Sequence, residues 1–101
     1  MTSEHLTITD RLLLGERVAV IGPNLTTSRQ VVTDTAQELK HLGHHAHHSI
    51  SKVSLDNGGT LEATTPTGIH GRTLDHVVIL GAVDDHYVLP ALTAGGTISR
   101  R

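Results

Sequence analysis

The chain is 101 residues long with nine His, eight Lys plus Arg, ten Asp plus Glu, and a formal charge of −2 when histidine is neutral. It contains one Tyr, no Trp, no Phe and no Cys. Disulfides, thiol catalysis and Cys-based zinc sites are therefore excluded. The core must be assembled from Leu, Ile, Val and Ala, which bury less area per residue than aromatics. This length predicts a single domain spanning residues 1–101 with a modest core, which oligomerisation would supplement. The near-neutral balance argues against a strongly electropositive surface, although partial protonation of the histidines moves it toward positive. No signal peptide is visible, and no apolar run approaches the roughly 20 residues needed to span a bilayer, so the expectation is a soluble, cytoplasmic protein without membrane contact.

Residues 3–14 carry Ser3 as a possible N-cap and apolar Leu6, Ile8, Leu12, Leu13 and Leu14, but β-branched Thr7, Ile8 and Thr9 lower helix propensity. The reading is a helix stopped by Gly15. Residues 17–22 form a short, nearly continuous apolar run between Gly15-Glu16 and Gly22-Pro23-Asn24, the pattern of a strand buried on both faces of a parallel sheet. Thr26, Thr27 or Ser28 is the expected cap of the next helix, whose stripe is Val31, Val32, Thr35, Ala36, Leu39 and Leu42 and whose stop is Gly43.

Alternation over residues 48–55 leads into Asp56-Asn57-Gly58-Gly59, a strong hairpin signal, with residues 60–65 as the returning strand. Residues 66–73 read as a loop that delivers the chain into a second core strand at residues 75–80. Asp84 or Asp85 is expected to open a last short helix through Tyr87, Val88, Leu89, Ala91 and Leu92, ended by Gly95-Gly96 and followed by a frayed tail at residues 99–101.

The order of these pieces carries a resemblance. Gly15-Glu16-Arg17-Val18-Ala19-Val20-Ile21-Gly22-Pro23-Asn24, a helix, the hairpin across Leu55-Asp56-Asn57-Gly58-Gly59-Thr60-Leu61, His70-Gly71-Arg72 and Asp75-His76-Val77-Val78-Ile79 together resemble phage terminase large subunits and related helicase-like ATPases. The likeness covers residues 12–92 and lies in order more than in identity; the family's Arg-Gly segment is reversed here as Gly71-Arg72. It implies an α/β fold, a small truncated RecA-like (P-loop NTPase-like) sheet with flanking helices and an inserted β-hairpin.

The departures concern chemistry. Asp75 to Leu80 resembles a Walker B strand, yet Gly81 and Ala82 stand where a motor places Asp-Glu, leaving Mg²⁺ without a carboxylate and the attacking water without a base. No Gly-x-x-x-x-Gly-Lys-Ser/Thr occurs, and the only lysines, Lys40 and Lys52, sit in no such loop. The helix over residues 3–14 would correspond to the one that follows Walker A. The expectation is a non-enzymatic protein without cofactor. Since the strand preceding Walker A lies beside Walker B in that family, the resemblance also implies an unpaired edge on residues 75–80 and a homo-oligomer built on that edge or the adjoining sheet face.

His41, His44, His45, His47 and His48 form a dense cluster. Metal binding, with His44, His45, His47 and His48 as weak candidates, stands against a plain polar connection, and a pH-dependent surface patch lies between. Thr26, Thr27, Ser28 and Arg29 at a helix start, and His70 and Arg72 on a Gly-containing loop, are candidate phosphate contacts beside their plainer roles in capping and turning. Arg100 and Arg101 complete the basic set, whereas Asp84-Asp85-His86 reads as capping.

Three functions follow as expectations. The first is a phage-encoded, non-catalytic accessory protein binding nucleic acid, with duplex DNA as the expected partner, by sequence-tolerant backbone contacts. The second is a protein-interaction module, an adaptor or decoy for a phage or host motor, acting through an exposed sheet edge. The third is a His-rich metal-binding protein.

Overall fold

A near-continuous apolar run needs burial on both sides, and Arg17–Ile21 (β1) obtains it at the centre of a six-stranded sheet. The computed structural model describes residues 7–64, 74–81 and 92–100. Ahead of β1, Ile8–Leu13 (α1) is a short helix whose N-cap is Thr7, in a capping box with Asp10. After it comes Leu25–His41 (α2), then Ala46–His48 (β2), Lys52–Leu55 (β3), Thr60–Thr64 (β4), Leu74–Ile79 (β5) and Leu92–Arg100 (β6). The strand order is β2-β3-β4-β1-β5-β6; β4, β1, β5 and β6 run parallel, and β2 and β3 are antiparallel additions beside β4. This is a small RecA-like α/β sheet with flanking helices and an appended hairpin.

Alternation along the parallel strands divides the core. Val18, Val20, Val78 and Leu80 pack with Val32 and Leu39 of α2 and with Ile8 and Leu12 of α1. Ala19, Ile21, Val77 and Ile79 point to the other face, where Ile98 of β6 joins them. With fully buried Leu and Val side chains each contributing about 1.5–3 kcal/mol, this aliphatic core functions without a single described aromatic ring.

Several expected elements need correction. Thr7 rather than Ser3 caps α1, because Asp10 completes a reciprocal capping box there. Asn24, rather than Thr26, Thr27 or Ser28, caps α2. The alternating segment over residues 48–55 is split: Ser49 and Ser51 turn the chain, so that β2 folds back on β3 with His48 opposite Val53. Ile50, an apolar member of that alternation, is 73% exposed at the turn. Gly43 follows α2 with φ +85°, in keeping with the expected stop.

The largest correction concerns the far side of β5. Gly95-Gly96 does not end a helix, and Ser99-Arg100 is not frayed; both belong to β6, which pairs in parallel with β5 along Val77↔Ile98, Val78↔Ser99 and Ile79↔Arg100. The register jumps between Leu74↔Leu92 and His76↔Thr97, so the glycine pair falls in a stretch of extra residues that the ladder bypasses. The open edge expected on β5 is therefore occupied. Among the described residues, β6 is the outermost strand on that side. Leu92, expected within the last helix, opens β6 instead, and the rest of that helix, residues 84–91, lies outside the described residues. No described helix is long and apolar enough to cross a membrane.

Candidate functional site

In open parallel sheets, ligands collect beyond the carboxyl ends of the strands, where helix N-termini point. Here that edge is formed by Ile21 ending β1 and Gly22 after it, Thr64 ending β4, Leu80-Gly81 after β5 and Arg100 ending β6. Helix α2 begins directly above it. Gly22 permits the approach: a Cβ there would lie 2.9 Å from Ser28 Oγ and 3.4 Å from Leu80 Cδ1. The first turn of α2 is thereby held against the ends of two central strands.

Asn24 organises that turn. Its Oδ1 accepts both the Thr27 backbone N–H and the Thr27 hydroxyl, each at 3.0 Å. Thr26 and Thr27 are exposed, and the first turn contains no acidic residue, so the partial positive charge of the helix start meets no negative charge from that turn. Ser28, by contrast, is fully buried and donates to Asn24 O at 3.4 Å, facing the packing rather than the surface. Arg29 turns toward β3, its Nε donating to Ser51 Oγ at 3.0 Å. Arg100 is exposed at the end of β6. His70, Arg72 and Arg101 lie outside the described residues.

The Walker B-like strand contributes scaffold to this edge. Asp75 sits at the opposite end of β5, where Oδ2 accepts the Arg17 backbone N–H at 2.9 Å and Nε–H at 3.4 Å. At the carboxyl end, Gly81 has φ +72° and stands beside Pro23. Asp75 ties two strand starts together and is remote from the edge where a motor's carboxylates would act.

Sequence reasoning missed His76. It is 3% exposed, with Nδ1 2.5 Å from Thr97 Oγ1 and Nε2 3.0 Å from Ser99 Oγ, so the imidazole bridges β5 to two hydroxyls of β6. Burial, assisted by the Arg11 cation, lowers its pKa from 6.5 to about 4 and keeps the ring neutral near pH 7. One nitrogen then donates and the other accepts, the hydroxyls rotating to suit. The signal in the sequence was Thr97-Ile98-Ser99, whose period of two places both hydroxyls on one face.

His44, His45, His47 and His48 lie on no helix, because α2 ends at His41 and its C-cap is Leu42. His47 Nε2 lies 3.6 Å from Asp56 Oδ1, and the His45 and His47 rings meet edge to face at 5.7 Å. Among the described residues, no three of His, Cys, Asp and Glu converge as a metal site requires.

No protein-family model and no curated protein matches the sequence. Solved structures do. The fold is similar to the large terminase of a thermophilic bacteriophage in two crystal forms, with TM-scores of 0.63 and 0.62 at 14% identity. In both comparisons 92% of this chain is covered, against 28% and 29% of the terminase, so the likeness spans under a third of that protein's length.

Proposed function

We propose that the protein is a non-catalytic RecA-like scaffold, of phage type, that holds duplex DNA by its phosphate backbone at the carboxyl edge of the parallel strands. The observation that supports this reading most is the acid-free first turn of α2, with Thr26 and Thr27 exposed above the strand ends. Thr26, Thr27 and first-turn N–H groups would donate to phosphate oxygens, and Arg100 would supply charge from the edge of the same sheet. Buried Ser28 positions that turn. Arg29, already held by Ser51, borders it, and His70, Arg72 and Arg101 join the proposed contacts on sequence grounds alone. The non-catalytic part rests on the sequence, which has no phosphate-loop lysine and carries Gly81-Ala82, not Asp-Glu, directly after the β5 strand run.

With so few cations, binding should be weak, sequence-tolerant and steeply salt-dependent. Fluorescence anisotropy with labelled duplexes of unrelated sequence tests this. Comparable affinities that fall together as salt rises support the reading, and the absence of binding at low salt and about pH 6.5 overturns it.

The outer position of β6 favours a second reading, a protein partner or second copy added along that strand. A nuclease-resistant complex without DNA affinity would select it.

A further inference from the structure

Helix α2 separates charge along its two flanks. Toward α1 it presents Asp34 and Glu38, which line a cleft of about 230 Å³ with Thr7, Thr9 and Val31. Toward β2 it presents Thr33, Gln37 and Lys40, and there a groove of about 410 Å³ opens between helix and strand. Lys40 and Gln37 form one wall; His44, His45 and His48 form the other. Among the described residues no carboxylate lines it, although the chain has more acidic than basic residues.

The distribution follows from the fold. Residues 33, 36, 37 and 40 recur at helical spacing and share the flank facing β2. The early stop at Leu42-Gly43 turns the chain back, so that His44 and His45 pass beside Lys40 before β2 begins. Within β2, alternation directs Ala46 and His48 into the groove and His47 away from it, toward Asp56. The acids of α2 are engaged elsewhere: Glu38 accepts the Thr9 hydroxyl, and Asp34 accepts the Gln30 amide. Among the described residues, the only carboxylate paired with this histidine segment is Asp56, and it faces His47 outside the groove.

We infer that the α2–β2 groove, lined by Lys40 and three imidazoles and by no described carboxylate, is a second phosphate-binding site for the nucleic-acid backbone. At alkaline pH, Lys40 is the only full charge on the described lining. His44, His45 and His48 surround the same space, and imidazole is the side chain that can add positive charge between pH 5 and 8. Gln37 and Thr33 supply uncharged hydrogen-bond donors between them. Thr33 and Lys40 are seven residues apart on α2, a rise of roughly 10 Å, so the flank extends beyond a single phosphate. Among the described residues no three groups converge on a point, which suits a spread phosphodiester chain better than a metal ion. This inference rests on the proposal that the chain binds nucleic acid, and it adds a pH-dependent contact away from the Thr26–Thr27 edge.

The test uses the full chain and a labelled DNA duplex at fixed low ionic strength. Affinity is expected to rise about tenfold from about pH 8 to about pH 6. The triple variant His44→Asn/His45→Asn/His48→Asn should flatten that rise, and Lys40→Ala should weaken binding at both pH values. All four positions are exposed, so circular dichroism and melting temperature should remain as in the parent. His48→Asn alone serves as a milder variant that should reduce the rise in part.

Thr26→Ala should lower affinity by the same factor at both pH values, because it acts at the other edge. Binding that is insensitive to pH but sensitive to Thr26→Ala overturns the groove and leaves the proposed function standing. Absence of binding at both pH values overturns both. A pH-dependent rise that survives the triple variant assigns the effect to other groups and also overturns the groove. In a second arm, ring-proton NMR signals of His44, His45 and His48 should move with inorganic phosphate and more strongly with duplex; movement with phosphate alone excludes nucleic acid as the occupant.

Discussion

The two edges of the parallel sheet are built differently. At the amino edge, charges and backbone groups are consumed by one another: Arg11 pairs with Glu16 at 3.1 Å, Asp75 with Arg17 at 3.4 Å, and the hairpin turn is bonded into the end of α1. At the carboxyl edge, two threonines and the start of α2 face solvent, with Asn24 capping the turn. The difference assigns stability to the contacts among α1, the hairpin and the strand starts, and leaves the start of α2 available for binding. Mutations should therefore separate the two properties.

The sharpest break in this division would come from Gly59. A Cβ there would lie 2.2 Å from Leu12 O and 3.0 Å from Leu12 C, both backbone atoms that no rotamer change can move. Gly59→Ala should therefore cost about 2–4 kcal/mol, read as a lower denaturation midpoint at unchanged slope. A loss under about 0.5 kcal/mol would mean that α1 and the hairpin are not locked together as described.

His76 extends the stability side into the sheet. Its folded pKa of about 4 lies below the ordinary 6.5, so between these values the unfolded chain binds more protons than the folded one. Stability should be full above about pH 6.5 and should be lost progressively as pH falls toward 4, by an amount on the order of 3 kcal/mol at most. His76→Gln should flatten this part of the curve, measured by chemical denaturation across the pH range. The same variant should loosen β6, because Thr97 and Ser99 lose the ring that joins them.

Asn57 contributes a smaller share. Its Nδ2 donates to Leu12 O at 3.2 Å and Leu13 O at 3.0 Å, while Oδ1 accepts the Gly59 N–H at 2.9 Å. Asn57→Ala should destabilise by about 1–2 kcal/mol, since three partners are left to water at a partly exposed site. Hydrogen exchange should show the end of α1 and residues 56–59 losing protection together. Independent loss in the two segments would break the link drawn between them.

How legible these edges were in the sequence depended on pattern length. β1 and β5 were readable because uninterrupted Val, Ile and Leu runs suit a strand buried on both faces, and α2 because Val32, Thr35 and Leu39 keep helical spacing. Asp56-Asn57-Gly58-Gly59 marked the hairpin, but nothing local showed that Asn57 would also reach α1, a contact made 45 residues away. β2 has only three residues, two of them histidine, and offers no period to detect. β6 was hidden by Gly95-Gly96, which local propensity reads as a stop and which the register jump absorbs.

The candidate site was partly legible for a related reason. The sequence marked the start of α2 as a candidate, yet four capping residues stand there together, and only packing decides among them. Asn24 takes the cap, Gly22 draws Ser28 inward, and Thr26 and Thr27 remain outside. The histidine cluster could be counted but not placed, because its geometry depends on where α2 stops and which way β2 faces.

Thr26→Ala tests the binding side with the smallest expected effect on stability. The side chain is exposed and is not the cap, so the fold should change by less than about 0.5 kcal/mol. If Thr26 donates to a phosphate oxygen, losing that charge-assisted bond should weaken DNA binding by about fivefold to tenfold. Thr26→Ser retains the hydroxyl and should restore affinity, which separates donation from methyl packing. Equal affinities for parent, Thr26→Ala and Thr26→Ser would remove this turn from the interface. Reduced stability in Thr26→Ala would instead place the residue with the amino edge, as part of what holds the sheet together.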